Sequence, residues 1–159
     1  MTANAESGSR RPMARIDIRM TDHFVFKTEI SVRITDINYG LHVGNDAFIS
    51  LIHEARVRFL NHFGYSEADI EGKSMIISDL AVIYKSQAFY GDRLQFEIGV
   101  GEFNTYGCDI FYRVTHSQTH ALVVLAKTGI VFFDFTANKV AVAPEVFSSR
   151  FSDNTGPDR

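Results

Sequence analysis

The stretch that most constrains this chain runs from Asn45 to Phe63. Phe48, Leu51, Ile52, Ala55, Phe59 and Phe63 recur there at i, i+3, i+4, i+7, i+11 and i+15, one apolar stripe along an amphipathic helix. Asn45 reads as its N-cap, and Asp46 sets a negative charge against the positive end of the helix dipole. Gly64 supplies a stop. So long a helix with one unbroken apolar face needs a broad apolar surface to lie on, and the remaining sequence has to provide it.

Strand patterns do so. From His23 to Ile34, Phe24, Phe26, Ile30, Val32 and Ile34 alternate with Lys27, Glu29, Ser31 and Arg33, which predicts a strand with one wet face. Thr35 to Gly44 has no period and two glycines, and reads as a loop. After a polar link from Ser66 to Ser74, strand-like runs cover Met75 to Gln87, Arg93 to Phe103, Cys108 to Thr115 and Ala121 to Asp134. Turns at Tyr90-Gly91-Asp92, Asn104 to Gly107 and Ser117 to His120 separate them. The last run is nearly continuously apolar, as a strand covered on both faces would be. A short helix is expected after Pro144. The layout is α+β: strand, long helix, then an antiparallel meander of four strands, giving a five-stranded sheet against one helix. Its exposed edges favour pairing of subunits, so a homo-oligomer is expected.

Length and composition narrow the function. The 159 residues suit one domain with a real core. Residues 1–22 and 152–159 are small, polar and turn-rich, and read as flexible tails flanking a single domain at 23–151. Net charge is −3 and no basic stripe follows Arg10-Arg11, so nucleic acid is not an expected partner. No apolar run reaches membrane-spanning length and no leader pattern is evident, which points to the cytoplasm. The lone Cys108 fits that compartment and reads as a small core hydrophobe. Neither metal-ligand spacing, a Gly-rich phosphate loop nor a G-x-S-x-G elbow occurs, so no cofactor is expected.

The residues that carry chemistry gather where the loop meets the helix. His42 is a candidate general base or water-orienting group, because imidazole changes charge near neutrality; its plain structural alternative is a loop histidine bonded to a backbone carbonyl. Asn38 cannot remove a proton, but its amide can hold a water or a carbonyl oxygen. Asn45 contributes a backbone N–H at the helix start, where unsatisfied donors can bind an oxyanion. Glu54 lies on the flank of the stripe, four residues before Arg58, and so reads equally as half of a solvated pair. Asp36 is suited to bracing the loop through backbone N–H groups. His53, on the polar face, reads as solvated.

These residues have a familiar arrangement. Asp36-Ile37-Asn38-Tyr39-Gly40-Leu41-His42-Val43-Gly44-Asn45, then Phe48 and Glu54-Ala55-Arg56, resembles the D-x-D-x-x-G-H-V-N-N-x-x-Y-x-x-x-x-x-E-A-R signature of the hotdog-fold acyl-CoA thioesterases, the 4-hydroxybenzoyl-CoA thioesterase and YbgC-like group. Tyr84 to Leu94 is similar to that family's strand and turn after the central helix. The resemblance implies a long helix wrapped by a curved antiparallel sheet, and hydrolysis of a fatty-acyl or aromatic thioester of CoA or acyl carrier protein at the interface of a dimer or tetramer. By position it gives Asn38 the place of the family's catalytic Asp and Asn45 that of the residue whose backbone N–H polarises the thioester carbonyl; with His42 and Glu54 these are the expected catalytic residues, and Asp36, Tyr39, Gly44 and Phe48 the expected substrate contacts. Asn38 stands where the family places a catalytic Asp, so water activation would pass to His42. Two other readings follow: an acyl-thioester binding protein without turnover, and an enoyl-thioester hydratase or dehydratase. The second is suggested by Asp36-x-Asn38 ahead of His42, although the Pro of the hydratase pattern is absent.

Overall fold

A computed structural model describes residues 15–152. The expected helix forms as α1 (Asn45–His62), and Phe48, Leu51, Ile52, Ala55, Phe59 and Leu60 are buried along it. Its start differs from the sequence reading. Gly44, not Asn45, is the N-cap: it is extended (φ −66°, ψ 151°), its carbonyl accepts from Phe48 N at 3.2 Å, and its own N–H is tied to Asp36 O at 3.0 Å. A glycine has no side chain to offer, so no side-chain cap serves the first turn. The far end closes as a Schellman motif. Gly64 sits at φ +81°, its N–H bonds Asn61 O at 3.0 Å, and Tyr65 N bonds Leu60 O at 2.8 Å.

The sheet comprises β1 (Phe26–Ser31), β2 (Ser74–Tyr84), β3 (Arg93–Gly101), β4 (Gly107–His116), β5 (Leu122–Asp134) and β6 (Lys139–Val140), all antiparallel. The order is β1-β3-β4-β5-β2, with two-residue β6 beside β5. The five expected strands are present, the first shorter than 23–34 because the chain turns through a 3-10 segment at Ile34–Asp36. The meander is corrected: β3, β4 and β5 form one, but β2 lies at the far edge beside β5. Residues 85–92 carry the chain from β2 back to β3 past the helix start, where Ala88 O accepts from Val43 N and Val32 O from Gly91 N. Tyr90-Gly91-Asp92 only ends that crossing, so it is not a hairpin turn between neighbours.

Strand alternation builds the inner face. Leu94, Phe96, Ile98 and Val100 of β3 are buried against α1 and α2, as are Val124, Ala126, Ile130 and Phe132 of β5 within the same core. In β2 the pairing shifts between Ile77 and Asp79, leaving Ser78 as an extra residue. A bulge of one residue resets the alternation. Leu80 and Ile77 therefore face the same side although three positions apart.

α2 (Glu145–Ser152) follows Pro144 and closes one end of the core. Phe147 and Phe151 meet Phe59, Phe63, Tyr65 and Phe132 at centroid separations of 5.0–5.8 Å, and each other at 4.9 Å, tilted or edge-on as aromatic quadrupoles prefer. Arg150 donates to Phe63 O at 3.0 Å, binding the C-terminus of α1 to α2. Cys108 is buried in this interior, and desolvation pushes its thiol well above the usual range. Of the expected tails, 1–14 and 153–159 lie outside the described residues. Within 15–22 there is no helix or strand, though Ile18 is buried.

Candidate active site

The loop ahead of α1 is held by its own backbone. Ile37 and Val43 form an antiparallel bridge, Asn38 N bonds His42 O at 2.9 Å, and Leu41 N bonds Asn38 O at 3.0 Å. Closing so tight a turn puts Leu41 at φ +63°, in the left-handed region. Asp36 braces the base of the loop. It is 5% exposed, and its carboxylate accepts from Arg33 N at 2.8 Å and from the Arg33 guanidinium at 3.1 and 3.3 Å.

Two polar side chains converge on the tip of this turn. Asn38 Oδ1 accepts from Gly40 N at 2.8 Å. A side-chain carbon on Gly40 would lie 2.8 Å from His42 Nε2 and 3.2 Å from Asn38 Oδ1, so both groups reach the same point, and glycine is what leaves it open. His42 Nδ1 lies 3.1 Å from Val43 O. A carbonyl only accepts, so Nδ1 carries the proton and Nε2 is left with its lone pair. The backbone bond named as this histidine's structural alternative is thus present, and it also fixes the basic nitrogen.

His42, Asn45 and Phe48 line one cavity of about 300 Å³ with Tyr84, Lys85 and Gln87. The floor is Phe48, whose ring lies 5.9 Å from that of Tyr84. The Tyr84 hydroxyl donates to Asn45 O at 2.9 Å and joins the end of β2 to the helix start. Desolvation, reinforced by the nearby Asp46 carboxylate, raises the Tyr84 phenol above its ordinary value, so it remains a neutral donor. Because Gly44 provides no cap, the first N–H groups of α1 stand unmet at the mouth of this cavity.

The other candidates lie elsewhere in the chain. Glu54 accepts from Arg58 Nε at 2.8 Å and lines a separate groove of about 530 Å³ against β1, with Arg33 and His53. Tyr39 is fully exposed on the loop, Asp36 faces Arg33, and Gly44 has its N–H committed to Asp36 O. His53 is more than solvated: its Nε2 lies 3.0 Å from Glu67 Oε2, and Glu67 also accepts from the buried Arg56 at 2.8 Å. Tyr84, Lys85 and Gln87 were not foreseen as cavity residues. The signal was the Tyr84 to Leu94 match, read only as a strand and a turn; that 85–92 crosses the helix start depends on strand order. No group of His, Cys, Asp and Glu suited to a metal occurs among the described residues, and no helix among them is long and apolar enough to cross a membrane.

Comparison with known proteins bears on the family and the fold. A profile of the thioesterase-like superfamily matches residues 32–151. Solved structures share the fold: a 1,4-dihydroxy-2-naphthoyl-CoA thioesterase from Synechocystis superposes with a TM-score of 0.73 at 20% identity, over 83% of this chain and 98% of that one. A DHNA-CoA thioesterase from Staphylococcus aureus gives 0.66 at 20% identity, over 80% and 83%. Among curated proteins, none matches the sequence significantly.

Proposed function

The chain belongs to the thioesterase-like superfamily, and on that premise we propose that it is an acyl-CoA thioesterase, cleaving a fatty-acyl or aromatic thioester to free acid and CoA. The observation that carries the proposal is the meeting of a histidine with a free Nε2 and an uncapped helix N-terminus at one cavity. His42 Nε2 takes a proton from water as the water oxygen attacks the thioester carbon. The carbonyl oxygen becomes an oxyanion and receives the Asn45 N–H and the helix dipole. Collapse breaks the C–S bond, and the leaving thiolate recovers the proton from the imidazolium. Asn38 has a second lone pair on Oδ1 and two amide donors with which to hold the water. Within one protomer the scheme needs no step from Glu54.

Phe48 and Tyr84 give the acyl group an apolar floor, and Lys85 sets a cation at the rim for the phosphates of CoA. We further infer a homodimer, or a tetramer built from it. β2 is an edge strand of 11 residues without Lys or Pro, and Ile76, Ile77 and Leu80 are exposed along it; such an edge pairs readily with a second copy. The cytoplasm suits the single buried thiol.

A panel of fatty-acyl and aryl-CoAs assayed for thiol release tests the activity, with Lys85→Ala expected to raise KM more than it lowers kcat. A binding protein without turnover is the second reading. It is favoured by Asn38, which leaves His42 without a carboxylate on the loop tip, and tight binding of intact acyl-CoA with no thiol released would establish it in place of hydrolysis.

A further inference from the structure

Beyond the cavity at the helix start, a second cavity of about 170 Å³ lies farther along the same two elements, lined by Ile49, Ser50, Ile52, His53 and Arg56 of α1, Ile77 and Leu80 of β2, and Thr128 of β5. Asn45, Phe48, Ile52 and Arg56 follow one helical stripe, and Tyr84, Leu80 and Ile77 follow one strand face once the bulge at Ser78 is counted. At 1.5 Å per residue the helix side of this groove is about 16 Å long. Ile49, Ile77 and Leu80 are each about two-fifths exposed along it, an apolar stretch beyond Phe48 and Tyr84.

Its far end is polar. Arg56 and Thr128 are 6% and 2% exposed, the Thr128 hydroxyl lies 2.9 Å from Tyr112 OH, and Arg56 reaches that phenol at 3.4 Å. Burial, only partly offset by Arg56 and Thr128, raises the Tyr112 phenol, which keeps it neutral. Such groups are costly to bury and are often replaceable by apolar ones without loss of stability. Glu67 takes Arg56 Nε at 2.8 Å. A guanidinium has five N–H groups, so this pairing cancels its charge while leaving donors on a residue that lines the groove.

We propose that the α1–β2 groove holds the acyl group, and that its Arg56–Thr128 end selects acyl groups carrying a neutral oxygen, a hydroxyl or a ketone, remote from the thioester. Glu67 already pairs with Arg56 and with His53 of the same lining, so a terminal carboxylate competes with Glu67 for both and is disfavoured. The inference rests on the thioesterase reading for its kinetic form, but not for its binding form. A site built to hydrogen-bond a substrate oxygen rejects the analogue lacking it far more strongly than an apolar pocket rejects an extra methylene.

The test compares medium-chain acyl-CoAs of equal length ending in methyl, hydroxyl or carboxylate, and titrates the three matching free acids calorimetrically. The hydroxylated ester should have the highest kcat/KM, and its free acid should bind tightest. Thr128→Val, of the same shape, should cut the hydroxyl-to-methyl ratio about tenfold, the size of one hydrogen bond. Ile49→Trp, which fills the groove, should weaken binding of all three acids. Equal constants for methyl and hydroxyl ligands, a preference for the carboxylate, or a ratio unmoved in Thr128→Val overturns the proposal. So does absence of acid binding, the result expected if a second copy's side chains fill the groove. If thiol release fails with every ester while the hydroxy acid still binds selectively, the hydrolytic reading falls and the groove assignment stands.

Discussion

At the scale of single residues, the site depends on a glycine as much as on its polar groups. Gly40 has ordinary φ, so replacing it strains nothing in the backbone; what it protects is the space that His42 Nε2 and Asn38 Oδ1 share. Gly40→Ala should displace the imidazole and lower kcat at least tenfold while the melting temperature stays within about a degree, since exposed substitutions rarely cost more than about 0.5 kcal/mol. Paired assays of kcat and thermal unfolding check this. His42, Asn38 and the helix start were legible in the sequence because loop, cap and stripe adjoin there. The N-cap was misplaced by one residue because Asn45 is the better capping type, while Gly44 is the residue whose N–H Asp36 holds. That displacement matters to chemistry: a side-chain cap would have occupied donors that the uncapped turn leaves available.

At the scale of elements, α1 is defined at both ends by glycines doing different things. Gly44 withholds a cap, whereas Gly64 supplies the left-handed turn of the Schellman motif with open space around it. Gly64→Ala should therefore cost about 1–2 kcal/mol through strain alone, read as a lower urea midpoint at unchanged m. The sheet carries its own pH dependence. A hydrogen bond from Arg113, at 2.6 Å, holds the Glu97 carboxyl below its ordinary range against the opposing effect of burial, with Lys27 adding to it at 3.3 Å. A carboxyl depressed in the folded state contributes stability above its unfolded pKa, and that contribution is lost as pH falls through the folded value. Thermal unfolding followed from neutral pH into acid should show this loss, and Glu97→Gln should flatten the slope. Helix and strands could be read from periods of 3.6 and 2; the placement of β2 beside β5 could not, because alternation says which face is buried and not which strand is the neighbour. The bulge at Ser78 also breaks the period just where it mattered.

At the scale of the whole molecule, the chain brings His42, Asn45 and Phe48 to one cavity, with Asn38 beside His42 at the loop tip, but leaves Glu54 bonded to Arg58 in another groove. The same protomer leaves β2 as a long apolar edge. If β2 pairs with a second copy as proposed, the parent chain sediments as a dimer and Leu80→Lys as a monomer, because a lysine on such an edge opposes strand pairing. Buried Phe, the central helix and the α+β class followed from composition and pattern, whereas subunit geometry needs surfaces that no period encodes. The proposed general-base role falls to His42, whose Nε2 is freed by the Nδ1 bond to Val43 O. It is tested most directly by the single-turnover rate of thiol release from the best acyl-CoA in His42→Ala beside the parent chain. General-base catalysis predicts a loss of about 10²–10⁴-fold with substrate affinity retained; an unchanged rate in His42→Ala would contradict it.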